Sequence, residues 1–242
     1  MPGGFSNKPK ILRGAFVEYG LSIPPLFVVF QLNPEQLSRS RSLNFQSPTA
    51  QTSTEDTSTT GQTRTVPTNR QLCDFHRQEA NLEVIRNAQQ VTIEEEKVDF
   101  ELLLDATDKM NAGDPIAQQF GIAPQLSTLE LMTHPKSDTP FGAIADLIGE
   151  ASGVSLNRQP NPPMTLFIWG YQRVFPVNIN SMSITETQFN PSLAPVRATV
   201  RVNLTLIEGK NKLYAYSKAA KEVMSALNLA NITDIANVAI PG

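Results

Sequence analysis

The stretch "VRATVRVNLTLIE", residues 196–208, decides the fold, because its apolar and polar residues alternate without interruption. Side chains of a β-strand point alternately to its two faces, so a period of two predicts one long strand. One face carries Val196, Ala198, Val200, Val202, Leu204 and Leu206, and the other carries Arg197, Thr199, Arg201, Asn203 and Thr205. We expect the first face to pack on a core and the second to meet water or a polar partner.

More strands are predicted on the N-terminal side of this stretch. Residues 165–170 (TLFIWG) are short and densely apolar, and residues 97–108 (KVDFELLLDATD) alternate cleanly. Residues 173–189 (RVFPVNINSMSITETQF) alternate up to Ile179 and resume at Met182, which predicts a β-bulge between them. Four or more alternating strands predict a mainly β (α+β) fold.

Two further strand candidates lie near the N-terminus, in residues 11–20 (ILRGAFVEYG) and 26–32 (LFVVFQL). The unbroken β-branched and aromatic character of the second predicts a strand covered on both faces. Asn33-Pro34 ends it, because proline lacks the N–H that a central strand needs.

A polar region follows this strand. Arg39 and Arg41 lie in a serine-rich stretch that we interpret as a solvated arm rather than a phosphate site. Residues 47–68 consist almost entirely of Ser, Thr, Gln, Pro and Gly. Such a segment buries too little to offset its ordering entropy, so we expect a mobile loop or arm. Residues 71–90 have a partly helical pattern.

Helix signals occur in four places. Asp114-Pro115 suits an N-cap followed by proline at the first helical position. Ser127 and Glu130 match a capping box in a helix predicted over residues 124–133, and a second helix is predicted around residues 141–151. Near the C-terminus, apolar residues recur at intervals of three and four, which predicts an amphipathic helix with the stripe Leu213, Tyr216, Ala220, Val223 and Leu227. The apolar tail from Leu229 to Ile240 docks on its own domain or on a neighbour.

Composition argues against several functions. The 242 residues carry a net charge of −3, so no basic field attracts nucleic acid. Cys73 is the only cysteine, which excludes an intrachain disulfide. The N-terminal ten residues lack the apolar core of a secretory signal, and no apolar run approaches the length of a membrane span, so we expect synthesis and assembly in the cytoplasm.

No residue pattern predicts catalysis or a metal site. His76, His134 and Cys73 lack the spacing of zinc ligands. A phosphate-binding loop, a dinucleotide fingerprint and a nucleophile elbow are all absent from the sequence. We interpret Glu94 to Glu96 as a solvated strand entry. We therefore predict no enzyme activity and no cofactor, and an assembly subunit is the simplest interpretation.

Several segments together resemble one protein family. They are "RGAFVEYG" with "PPLFVVFQLNPEQLSRS", "VDFELLLDATD", "GDPIAQQFGIAPQLSTLELM", and the run from "PPMTLFIWG" to "VRVNLTLIE". In this order they are similar to the tube-type baseplate proteins of contractile injection systems, which are phage-tail-like particles. The resemblance is strongest to the tube-initiating adaptor between the spike hub and the inner tube. Many relatives carry a LysM-like domain after the last strand, whereas only about 35 residues follow Glu208 here, too few for a separate core.

The resemblance implies a β-sandwich or barrel with a flanking helix, assembled as a homohexameric ring. It places a tube-type domain at residues 1–208, with a polar insertion at about 46–70 and a segment of open role at 71–90, and a C-terminal helical extension at 209–242. The implied partners are the trimeric spike, the inner-tube protein and other baseplate components, without nucleic acid. We expect subunit or lumen contacts at Asn33, Pro34, Arg39, Arg41, Arg197 and Arg201. A repeating inner-tube subunit and a small β-barrel hydrolase or ligand-binding protein remain as alternatives.

Overall fold

The computed structural model describes residues 12–20, 25–48, 71–135 and 161–228. The chain divides into a larger unit, residues 1–40 with 96–242, and a smaller unit, residues 41–95. The strands and helices of the described residues are β1 (Ala15–Glu18), β2 (Phe27–Val29), β3 (Leu37–Ser40), β4 (Leu43–Gln46), α1 (Leu72–Gln78), α2 (Leu82–Ala88), β5 (Gln90–Ile93), β6 (Lys97–Asp105), α3 (Thr107–Asn111), α4 (Pro115–Phe120), α5 (Ala123–Leu131), β7 (Thr165–Ile168), β8 (Val174–Phe189), β9 (Pro195–Leu206) and α6 (Lys212–Leu227). No helix in these ranges is both long and apolar enough to cross a membrane.

The larger unit is built on one antiparallel sheet of seven strands in the order β2-β1-β7-β8-β9-β6-β3. The alternation predicted for β9 and β6 is confirmed. From Ala198 to Leu206 every second side chain of β9 is buried, and so is every second side chain of β6 from Val98 to Leu104. The predicted bulge is also present, as a register shift between Ile179 and Ser181 of β8. The prediction of a mainly β fold is therefore confirmed.

The sheet curls until its inner faces meet. β1 and β6 are four places apart in the strand order, which would separate them by about 19 Å in a flat sheet. Their side chains Phe16 and Phe100 nevertheless have ring centroids 5.9 Å apart. Phe30 lies 5.9 Å from Phe100, and Phe167 lies 5.3 Å from it. These four rings form the centre of a barrel-like core.

The N-terminal strand prediction needs correction. β2 has only three residues, and it is not covered on both faces. Leu26, Val28 and Phe30 are buried, whereas Phe27 is 62% exposed and Val29 is 48% exposed. The physical reason is that β2 lies at an edge of the sheet and pairs only with β1, so one of its faces packs on the core and the other is open.

The helix signals are confirmed in part. The side chain of Asp114 accepts hydrogen bonds from the N–H groups of Ile116 and Ala117 at the start of α4. The helix predicted over 124–133 is α5, but the capping box is wrong. α5 already begins at Ala123, so Ser127 lies inside the helix and makes no N-terminal cap. The helix predicted at 141–151 and most of the polar segment 47–68 lie outside the described residues.

The C-terminal helix α6 packs on β8 through an unexpected side. The hydroxyl of Ser217, fully buried, donates to the carbonyl of Val174 at 2.9 Å and accepts from its N–H at 3.2 Å. With about 100° between successive helical residues, the predicted stripe is centred roughly 80° around the helix from Ser217. Tyr216, Val223 and Leu227, hereafter the helix stripe, are 56–63% exposed.

The smaller unit contains a two-stranded antiparallel ribbon, β4–β5, with α1 and α2 between its strands in the chain. The helical pattern predicted within 71–90 is confirmed as these two short helices. One side of the ribbon is polar, with Asn44 opposite Thr92 and Gln46 opposite Gln90. Its other side, hereafter the ribbon face, pairs Leu43 with Ile93 and Phe45 with Val91, and each of these side chains is exposed.

Candidate assembly surfaces

The outer face of β8, β9 and β6 is mostly polar, with Leu103 of β6 as an exposed apolar residue on it. Arg201 Nε donates to Glu101 Oε1 at 2.5 Å, and Asn203 Nδ2 donates to Asp99 Oδ1 at 2.5 Å. Asn180 Nδ2 reaches both Asn203 Oδ1 and the Thr205 hydroxyl at 2.7 Å. These cross-strand pairs satisfy one another, so the face is hydrophilic but has little net charge of its own.

A groove of about 760 Å³ runs across this polar face and is bordered by residues 32–36. It brings together three of the predicted contact residues, Asn33, Pro34 and Arg201. Asn33 also has a role inside the subunit. Its side chain accepts from the Gly14 N–H at 2.9 Å and donates to the Leu12 carbonyl at 2.8 Å. These two bonds tie the end of the β2 segment to the start of β1.

Arg197 lies farther along the same face of β9 and pairs with Asp105 of β6. Arg197 Nε donates to Asp105 Oδ2 at 2.8 Å, and its terminal amino group contacts the same oxygen. Partial burial raises the pKa of Asp105, but hydrogen bonds from Thr107 and the charge of Arg197 outweigh it and lower the pKa below its ordinary value. This pair therefore stays ionised at neutral pH.

Arg39 lies away from that groove, in a charged junction around the buried side chain of Glu96. Arg39 Nη1 lies 3.4 Å from Glu96 Oε1, and Nζ of Lys221 in α6 lies 3.0 Å from Glu96 Oε2. The ammonium group of Lys221 also lies 5.3 Å from the ring centroid of Phe175. The carboxylate of Glu96 thus joins β3 to α6. Arg41 belongs to the smaller unit and is exposed.

Among the described residues, both edge strands of the seven-stranded sheet have a strand partner on one side only. β2 pairs only with β1 and β3 pairs only with β6, so each has one row of backbone groups without a strand partner among the described residues. Unpaired strand edges are templates for pairing with another chain. Next to the β2 edge, the exposed side chains of Phe27 and Val29 add apolar surface.

The tip of the β8–β9 hairpin is fixed by residues that the sequence patterns did not single out. Asn190 accepts from the N–H groups of Ser192 and Ala194, and its Nδ2 donates to the carbonyls of Gln118 and Gln119 at the end of α4. The dipeptide Asn190-Pro191 is a turn signal of the same kind as Asn33-Pro34, so this turn could have been predicted. Neither Ser217 nor Glu96 carries such a local signal.

Within the described ranges, no three His, Cys, Asp or Glu side chains converge as a metal site would require. Cys73 and His76 lie on the exposed helix α1, and the ring nitrogen of His76 is 3.4 Å from Gln89 Oε1. His134 Nδ1 lies 2.8 Å from the carbonyl oxygen of Glu130.

The predicted contact residues do not form one site. They lie on the polar face, at the charged junction around Glu96 and on the smaller unit.

Comparison with known proteins identifies the family. Residues 68–214, more than half of the chain, match the family described as contractile injection system tube protein. The matched range runs from α1 to the start of α6 and includes β6, β8 and β9. No curated protein matches the chain at a significant level. On the strength of this match, the chain belongs to the family of contractile injection system tube proteins.

Proposed function

We propose that this protein is a structural adaptor whose identical copies close into a hexameric ring between the trimeric spike hub and the inner tube of a contractile injection system. The observation that carries the proposal is the open sheet, with unpaired edges at β2 and β3, in a chain of the tube-protein family. In such a ring each copy offers one surface to the next and a different surface to the previous one, and the contact closes on itself. The adaptor has no catalytic step and needs no cofactor.

In this ring the polar outer face of β8, β9 and β6 lines the lumen. Arg197 and Arg201 then face the channel, where their ion pairs with Asp105 and Glu101 keep the surface hydrated. Asn33 and Pro34 lie at the rim of the groove, and Arg39 on β3 lies beside the subunit boundary. Arg41, on the smaller unit, contacts another component of the baseplate.

Two features support an adaptor over a plain stacking subunit. The smaller unit, residues 41–95, and the helix α6 both carry exposed apolar side chains. An adaptor must meet a threefold hub on one side and a sixfold tube on the other, so it needs contact surfaces beyond those of a symmetric stack. A second candidate is a repeating inner-tube subunit, with which the family match is equally compatible.

Copy number in purified particles separates the two candidates. Quantitative mass spectrometry against the sheath and spike subunits should give about six copies of this protein beside about three of the spike if it is the adaptor. A number that grows with the length of the tube would instead identify a repeating subunit. Absence from particles would reject both.

The polar segment 47–68 offers a second test of assembly. We propose that the arm formed by residues 38–68 reaches an adjacent ring, the hub or a sheath-side component. Deleting residues 47–68 should leave the cooperative unfolding transition unchanged, because no apolar residue larger than Val66 is lost, and should lower the yield of assembled particles. Particles that assemble at the normal yield would contradict this role.

A further inference from the structure

We propose that residues 1–11 dock, as an extended basic segment, in the acidic groove on the polar face of the same copy. The groove is bordered by residues 32–36 and floored by β6, β9 and β8, all of which belong to the larger unit. The docking takes place within one copy, so it does not depend on the proposed ring or on the place of that ring in the particle.

The groove has a net negative charge. Its charged lining residues are Asp99 and Glu101 of β6, Arg201 of β9 and Glu35 of the bordering segment, and all four are exposed. The strands alone contribute little net charge, but Glu35 adds a third carboxylate. Three carboxylates against one guanidinium leave a charge of −2. Because Arg201 is already paired with Glu101 at 2.5 Å, the groove favours a cationic occupant.

Residues 1–11 (MPGGFSNKPKI) have the complementary composition. Lys8 and Lys10 are their only charged side chains, so the segment carries two positive charges and no negative one. The proline between the two lysines favours an extended backbone at the residue before it. The segment also contains apolar residues, and the groove offers them Leu32, which is 51% exposed, and Leu103, which is 38% exposed.

The start of the described chain leads toward this groove. Asn33, which lines the groove, donates from Nδ2 to the Leu12 carbonyl at 2.8 Å and accepts from the Gly14 N–H at 2.9 Å. The N–H of Phe30 donates to the Gly14 carbonyl at 2.8 Å, which continues the antiparallel pairing of β1 with β2. Followed backwards from Leu12, the chain therefore heads along residues 33–36, which border the groove.

The segment is long enough to reach the carboxylates of the groove. An extended chain advances about 3.3 Å per residue, so the backbone of Lys10 lies at most about 7 Å from Leu12 and that of Lys8 at most about 13 Å. The floor from β3 to β8 spans three strand spacings, which is about 14 Å. Exposed ion pairs are individually weak. Attachment at Leu12, however, holds both lysines near the groove at an effective concentration on the order of millimolar, which favours docking.

Carbodiimide cross-linking of the unmodified protein at low salt tests the docking. The reagent joins a lysine amine to a carboxylate in contact with it, and mass spectrometry identifies the linked peptides. The matched control carboxylate is Asp108, which is exposed but does not line the groove. Asp108 is also near the same part of the chain, since the N–H of Asp105 donates to Gln31. Mixing isotopically labelled with unlabelled protein separates links within one copy from links between copies.

We expect Lys8 and Lys10 to link to the three groove carboxylates at least about tenfold more often than to Asp108, because docking raises the local concentration of the amines there. The excess should disappear at about 1 M salt, where the Debye length is about 3 Å. An excess that survives high salt would refute the charge complementarity on which the docking rests.

Two other outcomes would overturn the docking. Equal yields for the groove and for Asp108 at low salt would show that the segment has no preferred site. An excess found mainly between labelled and unlabelled copies would assign the groove to the segment of a neighbouring copy instead. Neither outcome bears on the ring proposal, which the copy number in particles tests separately.

Discussion

Gly121 should be a position where one added methyl group lowers the free energy of unfolding markedly. It has φ of 57° and ψ of −125°, a conformation close to the first central residue of a type II′ turn, which glycine dominates. A Cβ placed there would lie 2.0 Å from the carbonyl oxygen of Pro195 and 2.9 Å from its carbonyl carbon. The same oxygen accepts a hydrogen bond from the N–H of Ile122 at 2.9 Å. The Pro195 carbonyl therefore cannot move away from an added Cβ without breaking that hydrogen bond.

Two costs determine how much stability the Gly121→Ala variant loses. Backbone strain of this kind costs about 1–3 kcal/mol, and the lost hydrogen bond adds about 0.5–1.5 kcal/mol. We therefore expect Gly121→Ala to lower the free energy of unfolding by about 2–4 kcal/mol. In a chain of this length that corresponds to a fall in Tm of roughly 4–16 °C.

Urea denaturation followed by Trp169 fluorescence measures this loss. Gly113→Ala is the matched control, because Gly113 also has a positive φ, of 83°, but no atom lies within 4 Å of its added Cβ. In this control only backbone strain acts, so its free energy of unfolding should fall by about 1–2 kcal/mol. If the two variants lose equal stability, the contact between Gly121 and Pro195 is not what holds the hairpin tip, and the reasoning is refuted.

Three further predictions concern single side chains. Asn190→Ala should lower the free energy of unfolding by about 2–4 kcal/mol, because the Ser192 N–H in the turn and the Gln118 carbonyl at the end of α4 lose their hydrogen-bond partner. An unchanged urea midpoint would contradict this. Ser217→Ala should loosen α6, which limited proteolysis would show as faster cleavage after residue 210 than in a Ser225→Ala control. Because its folded pKa is lowered, Asp105 stabilises the fold above its unfolded pKa, about 3.9. That contribution is lost as the pH falls through the folded pKa, so acid titration of Asp105→Asn should show a shallower loss of stability than the wild-type protein.

The sequence by itself determined the strands that pair over long distances. In β6 and β9 the period of two marks the buried face residue by residue, and the bulge in β8 appears as a break in that period. Such alternation is a local property, because it depends only on successive side chains pointing to opposite sides of one strand. The cap at Asp114 is local for the same reason, since its partners lie within three residues.

Only the tertiary structure decided which apolar surfaces are covered. The continuous apolar character of β2 predicts burial on both faces, but the strand lies at an edge of the sheet. Its edge position depends on the order of strands that are far apart in the chain. The sequence pattern of α6 suggests that its apolar stripe packs on the rest of the domain. The contacts with β8 and Glu96 are made instead by Ser217 and Lys221. A hydrophobic pattern states that a face favours burial. Whether that face is buried within its own chain depends on partners that the local sequence does not contain.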